Sequence, residues 1–194
     1  NGVGTSVNPW TRTTNTAITH NASNGAARAV RQTIGQGQER QTWLISPRVN
    51  VPVNAELSFF TRTELANNQG TNFSVRISTH SDPTNINAYS VLQNWTELTL
   101  VDTYDEYQKK ILSLQDFIGQ NIYVAFVRSN VQFINGINGN GDNWLIDDIV
   151  LESNFPNFPN IGIVGTLTGW GSNPDIPMAT EDGINYSATN VNFT

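Results

Sequence analysis

The 194-residue chain has no cysteine, two histidines and a single methionine. Without cysteine there is no disulfide, no thiolate metal site and no cysteine nucleophile. A secreted eukaryotic domain of this size often carries disulfides, so their absence tilts the reading towards a bacterial origin. Charge is also scarce: 13% of residues are charged, against about a quarter in ordinary soluble domains. Ten Lys and Arg, of which only Lys109 and Lys110 are adjacent, are scattered among sixteen Asp and Glu, for a net charge of −6. They form no basic stripe that could follow a phosphate backbone, which argues against nucleic-acid binding. No apolar run is long enough to span a bilayer. No signal peptide is visible either, and the opening NGVGT reads as a mature or trimmed start.

Asn, Thr, Ser and Gln take the place of charge, beside 38% hydrophobic and 10% aromatic residues. No segment of about twelve or more residues holds a helical period, and the strong signal is a period of two. Residues 1–41 are polar, with short β-like pieces at Thr16–Thr19 and Ala26–Gln32. ELSFFTRTE (Glu56–Glu64) and NFSVRIST (Asn72–Thr79) alternate cleanly, and Asn68–Gly70 between them reads as a hairpin turn. TELTLVDT (Thr96–Thr103) alternates again. NIYVAFVRS (Asn121–Ser129) is nearly continuous in apolar residues and reads as a central strand; a long loop then leads to WLIDDIVLES. About seven or eight short strands with turn signals between them predict an all-β sandwich over residues 1–154. FPNFPN at 155–160 suits an extended linker, and residues 161–194 open a second β domain that is too short to bury a core alone.

The order WLISP, LSFFTRT, FSVRIST, YVAFVRS, NWLIDDIVL resembles the choice-of-anchor J and cleaved-adhesin domains, MAM-like jelly rolls of Bacteroidetes surface proteins, over Trp10 to Glu152. The extra strand with which such domains usually begin is missing here or reduced to NGVGTSV. The later stretch IGIVGTLTGWGSNPDIPM is similar to the opening of the repeated SusE/SusF-like outer-membrane domains, at Ile161–Gly165, Gly169–Trp170 and Ile176–Met178. Together the two resemblances imply a jelly-roll β-sandwich followed by a partial second sandwich of Ig-like kind, with no catalytic role. They place it on the extracellular face of a bacterial outer membrane or in the secreted fraction.

The sharpest local question lies in NGNGDNWLIDDIVLE (Asn138–Glu152), where two adjacent acids interrupt a strand that looks buried. An unpaired carboxylate in a core costs several kcal/mol. Strict alternation would place Trp144, Ile146, Asp148 and Val150 on one face and Leu145, Asp147, Ile149 and Leu151 on the other, both apolar. Asn138, Asn140 and Asp142 alternate with glycines as the first ligands of a calcium loop do, but Ile149 stands where an EF-hand needs its last Glu. The jelly-roll resemblance implies a structural calcium joining the last strand to an early segment, with Asp147 as the matching acid. Asp147, Asp148, Asp142 and Asn140 are then the candidate ligands. The alternatives are that Asp147 accepts backbone N–H groups and pins a loop, and that the Asn-Gly tract is an ordinary turn.

Among the aromatics, Trp43 and Trp144 lie in apolar strands and read as core. Trp95, Tyr104, Tyr107 and Trp170 have polar or loop surroundings and are the candidate ligand-binding residues, each with packing as the alternative. Enzyme chemistry finds little support. Ser46 lacks an elbow of glycines, both histidines lie in polar tracts, and Asp102, Asp105 and Glu106 share one turn instead of facing each other across a cleft. The expectation is a non-enzymatic surface module that binds a polysaccharide, as accessory to an uptake system. The alternative is an adhesion or protein-docking module without a sugar site.

Overall fold

The computed structural model describes residues 2–3, 10–132, 139–153, 162–163 and 176–177. Its strands, in chain order, are β1 Gly2–Val3, β2 Thr11–Thr13, β3 Ala26–Ala29 and β4 Glu39–Ile45. They continue with β5 Val49–Asn50, β6 Ala55–Thr63, β7 Thr71–Ser78, β8 Ser90–Thr96 and β9 Gln108–Ser113. Then come β10 Asn121–Val131, β11 Trp144–Ser153, β12 Gly162–Ile163 and β13 Ile176–Pro177.

The chain divides into two compact units, Asn1–Glu152 and Ser153–Thr194. In the first, one sheet runs β1-β4-β10-β7-β8, with β5 also paired to β10, and the other runs β2-β3-β11-β6-β9. The pairs β4–β10, β10–β7 and β7–β8 are antiparallel, as are β2–β3, β3–β11 and β6–β9. The fold is thus the expected two-sheet β-sandwich. In the second unit β12 and β13 pair antiparallel.

Alternation builds the core. Leu57 and Phe59 of β6, Phe73, Val75 and Ile77 of β7, Ile122, Val124 and Phe126 of β10, and Trp144 and Ile146 of β11 form one buried cluster. Its aromatic rings interlock: Phe73 lies 5.0 Å from Trp144, and Phe59 5.1 Å from Phe126, centroid to centroid. Each such side chain contributes about 1.5–3 kcal/mol by leaving water. β10 looks continuous in apolar residues because both its faces are covered. On the outer face Ala125 and Val127 pack with Trp43 and Tyr89 in a second cluster, joined by Ile45, Ile86 and Tyr123.

Three local expectations are corrected. Asn68–Gly70 is not a hairpin turn, since β6 and β7 belong to different sheets and the segment crosses between them. It is held by Glu97, whose carboxylate accepts the Gln69 N–H and, at 2.9 Å, the Thr71 N–H. TELTLVDT is not a strand. Glu97–Leu100 forms one helical turn, α1, and the Thr99 Oγ1 accepts the Thr96 N–H at 2.9 Å to start it. Thr16–Thr19 is a turn begun by Asn15, whose Oδ1 accepts the Ala17 N–H at 3.1 Å.

Candidate functional site

Strict alternation fails on β11, and this explains the paired acids. Trp144 and Ile146 enter the core, and Asp147 lies across the sheet from them, 6% exposed. Asp148 then adopts a left-handed backbone, with φ of 48°. One residue in that conformation shifts the phase of the strand, as a bulge does. Ile149 and Leu151 therefore turn back inwards and line an apolar cleft with Leu57, Val124 and Phe126. Both acids are left on the outer side, and neither faces the hydrophobic core.

Asp147 is surrounded by donors. Its Oδ2 accepts the His20 N–H at 2.9 Å and the Ser23 hydroxyl at 2.7 Å, and its Oδ1 accepts the Asp148 N–H at 2.9 Å. Asp148 meets the His20 imidazole, Nδ1 to Oδ2 at 2.8 Å. The His20 ring stacks on Phe60 at 3.7 Å and meets the edge of Tyr107 at 5.2 Å.

Asp142 and Asn140 belong to a different cluster. The Asp142 carboxylate accepts the N–H groups of Glu64, Leu65 and Asn143, at 3.2, 3.1 and 2.6 Å. Burial pushes its carboxyl up to about 6, against the pull of those amides. Beside it Arg128, 1% exposed, donates from Nε to the Asp142 carbonyl at 2.6 Å and from Nη1 to Asn130 Oδ1 at 3.0 Å. Burial lowers the Arg128 guanidinium to about 10, so it keeps its charge at neutral pH.

Among the described residues, both carboxylates are already engaged by hydrogen-bond donors. Calcium takes six to eight oxygen lone pairs, whereas the groups facing Asp147 and Asp142 are N–H and O–H donors. The chain has no Asp or Glu before Glu39, so the early segment facing Asp147 brings no carboxylate. Among the described residues no group of three or more His, Cys, Asp or Glu is placed to hold a metal. Asn140 Oδ1 is buried and accepts no hydrogen bond, but one amide oxygen is no cage.

The four aromatic candidates separate. Trp95 is half-buried and packs on the main core, 6.3 Å from Phe59, so its ring is not an open platform. Tyr107 is half-buried as well; its hydroxyl donates to the Ile18 carbonyl at 2.9 Å, and the Arg62 guanidinium lies 5.6 Å above its ring. Trp170 lies outside the described residues. Tyr104 is 49% exposed and lines a cleft of about 190 Å³ at the loop end of the sandwich, with Leu65, Asn67, Leu98 and Asp102. Glu97 also lines it, but both its oxygens are held by the amides of Gln69 and Thr71. Asp105 is paired with Arg62. Of the acids on this turn, Asp102 therefore keeps its place in the cleft lining, while Asp105 is taken up by Arg62.

Sequence reasoning missed another opening. On the outer face of the first sheet, Glu39, Gln41, Trp43, Arg76, Ile86 and Asn87 line a groove of about 310 Å³. Glu39, Gln41 and Trp43 are alternate residues of β4 and share that face. Trp43 is 4% exposed, yet it faces away from the main core, beneath Tyr89 at 5.4 Å and the Arg76 guanidinium at 4.9 Å. A chain of hydrogen bonds runs along the strand. The Trp43 Nε1–H donates to Gln41 Oε1 at 3.3 Å, and Gln41 Nε2 donates to Glu39 Oε1 at 3.1 Å. Arg76 Nε donates to Ser74 Oγ at 3.1 Å. Burial lowers the Arg76 pKa, and the Glu39 charge opposes that shift. The pattern E-x-Q-x-W, polar, polar and aromatic on one face of a strand, is the signal that could have pointed here.

Neither a protein-family model nor a curated protein matches this chain. Solved structures do. The K1 cleaved adhesin domain of Lys-gingipain from Porphyromonas gingivalis W83 matches at a TM-score of 0.55 and 16% identity, over 79% of this chain and 90% of that one. The K2 cleaved adhesin domain of the same protein matches at 0.53 and 15%, over 78% and 87%. The carbohydrate-binding module TmCBM61, solved with β-1,4-galactotriose, is more remote, at 0.45 and 13%, over 75% and 89%. The chain shares its two-sheet fold with the two adhesin domains.

Proposed function

We propose that the first unit is a non-enzymatic module that binds neutral polyhydroxyl ligands, the glycans of a polysaccharide, and that it works at a bacterial surface or in the secreted state. The observation that carries this reading is the groove over Trp43. It offers a carboxylate, two amides and a guanidinium around a floor of aromatic and aliphatic carbon. Sugars present hydroxyls in fixed pairs above an apolar ring face, and such a ligand needs a few placed polar groups within a mostly apolar wall. The expected role as accessory to an outer-membrane uptake system rests on the likeness of residues 161–178 to SusE/SusF-like domains and belongs to this proposal.

The test is a glycan array followed by calorimetry on the whole 194-residue chain. Binding to a neutral polysaccharide that Arg76→Ala and Gln41→Ala both weaken, with melting temperatures held near the parent, supports the reading. No binding at millimolar sugar removes it.

A second reading is supported by the shared fold with two domains named as adhesins and by the exposed Leu98 and Tyr104 at the loop end. In it the loop-end cleft docks onto another surface protein. Leu98→Ser would then abolish partner capture and leave sugar binding at the groove intact.

A further inference from the structure

The groove over Trp43 holds one acid and one base, and their arrangement bears on what it selects; the inference rests on the proposed glycan-binding reading. Glu39 and Arg76 do not form an ion pair, although the Glu39 charge acts on Arg76. Each is fixed by other partners. Glu39 Oε1 is held by Gln41, which Trp43 orients in turn, and no described group donates to Glu39 Oε2. Arg76 is held at Nε by Ser74 and lies over the indole, its guanidinium carbon 4.9 Å from the ring centroid, with no hydrogen bond from its Nη atoms to the described residues. One wall therefore presents a free carboxylate oxygen and the other a free guanidinium fork, and Gln41 and Trp43, which orient the carboxylate, also line the groove.

We infer that Glu39 and Arg76 act as a matched acceptor and donor that select an uncharged sugar with adjacent hydroxyls, and that Glu39 excludes uronic-acid and sulfated glycans. One hydroxyl of a vicinal pair donates to Glu39, and its neighbour accepts from Arg76. The direction of each hydrogen bond is then set by charge, and such bonds are the stronger class. A ligand carboxylate or sulfate would pair with Arg76 alone, but it would sit beside Glu39. The repulsion between like charges is the discriminating element, as specificity often requires. Asn87 and Gln41 add neutral donors and acceptors and bring no charge of their own. The same geometry explains why Trp43 can be almost fully covered at a sugar site. The indole serves to hold the guanidinium, and the ligand meets the guanidinium.

Glu39 is exposed at the start of β4, so Glu39→Gln keeps shape and removes charge without disturbing the core. The experiment measures binding of the parent and E39Q to a neutral galactan or glucan and to polygalacturonate, each at low and high salt. The expected result is that the parent binds the neutral polymer and not the uronate. E39Q should gain tenfold or more on the uronate, most at low salt, and lose several-fold on the neutral polymer. Arg76→Lys, which keeps the charge and loses the fork, should lose the neutral polymer in the parent and both polymers when combined with E39Q. If E39Q leaves the uronate preference unchanged while the parent binds neutral sugar, Glu39 is not the selector, although the glycan reading survives. If the parent already binds both polymers alike, the selection is overturned. If neither protein binds either polymer while both stay folded by their melting curves, the glycan reading itself falls, and this inference falls with it.

Discussion

The Ser23 hydroxyl donates to Asp147 Oδ2 at 2.7 Å, closing a span of 124 residues between an early segment and the last strand of the sandwich. Asp147→Ala would leave three donors without their acceptor: the N–H groups of His20 and Asp148, and that hydroxyl. It should cost about 3 kcal/mol of unfolding free energy, and Ser23→Ala about 1 kcal/mol. Since these two act on one bond, the double variant should be little worse than Asp147→Ala alone. Urea titration of the three proteins measures this. Because donors surround the carboxylate, neither EDTA nor millimolar calcium should move the melting temperature. A rise of several degrees on adding calcium would show that the carboxylate exchanges its donors for a cation.

Gly141 is required for two reasons. Its φ is +74°, and a Cβ there would lie 2.2 Å from Arg128 Nη2 and 2.9 Å from Thr71 Oγ1. Arg128 is buried and committed to Asp142 and Asn130, so it cannot move aside without losing partners. Gly141→Ala should cost about 3 kcal/mol or more, read by denaturant unfolding. A loss below about 0.5 kcal/mol would mean that the guanidinium is not held as described.

How much of this was legible depends on whether a residue's partner lies near it in sequence. The alternation of Leu57, Phe59 and Thr61, and of Phe73, Val75 and Ile77, was readable because a strand's two faces are written at a period of two. The last strand was readable as a strand but not in its phase, because the turn at Asp148 is a backbone event and Asp is among the few residues that tolerate it. The sheet assignment of β6 and β7 was not readable, since Asn68–Gly70 looks like a tight hairpin unless Glu97 is known to sit beside it. Trp43 reads as core because TWLI is apolar on both faces. Only the pairing with β10 shows that it faces outwards, towards Arg76. The groove was hidden for that reason, while Tyr104 was visible from its acidic neighbours.

Tyr107 gives the pH test. Burial raises its phenol above the ordinary value of 10.0, and the Asp147 charge raises it further. A group whose folded pKa is raised contributes stability that is fully present below its unfolded pKa and is lost as pH rises towards the folded one. The protein should therefore be insensitive to this group at neutral pH and lose stability above about pH 10. Tyr107→Phe removes the bond to the Ile18 carbonyl and should cost about 1 kcal/mol at pH 7, while flattening the alkaline fall. Melting temperatures from pH 7 to 11 on both proteins check it. An equal alkaline slope in both would place the sensitivity elsewhere.

The centre of the sandwich carries one polar device, and it can be isolated. The Trp144 Nε1–H donates to Thr61 Oγ1 at 2.7 Å, and the Thr61 hydroxyl donates onward to the Leu145 carbonyl at 3.1 Å. Trp144 and Thr61 are both fully buried, so no water stands ready to replace either bond. Thr61→Val keeps the volume but strands an indole N–H in the core, and should cost about 2–3 kcal/mol. Trp144→Phe removes the donor and opens a void, at about 3 kcal/mol. In the double variant the stranded donor is gone, so the combined loss should fall short of the sum by about 1 kcal/mol or more. Urea unfolding of the four proteins closes the cycle. Strict additivity would show that the indole and the hydroxyl do not depend on each other, and that packing alone seats Trp144.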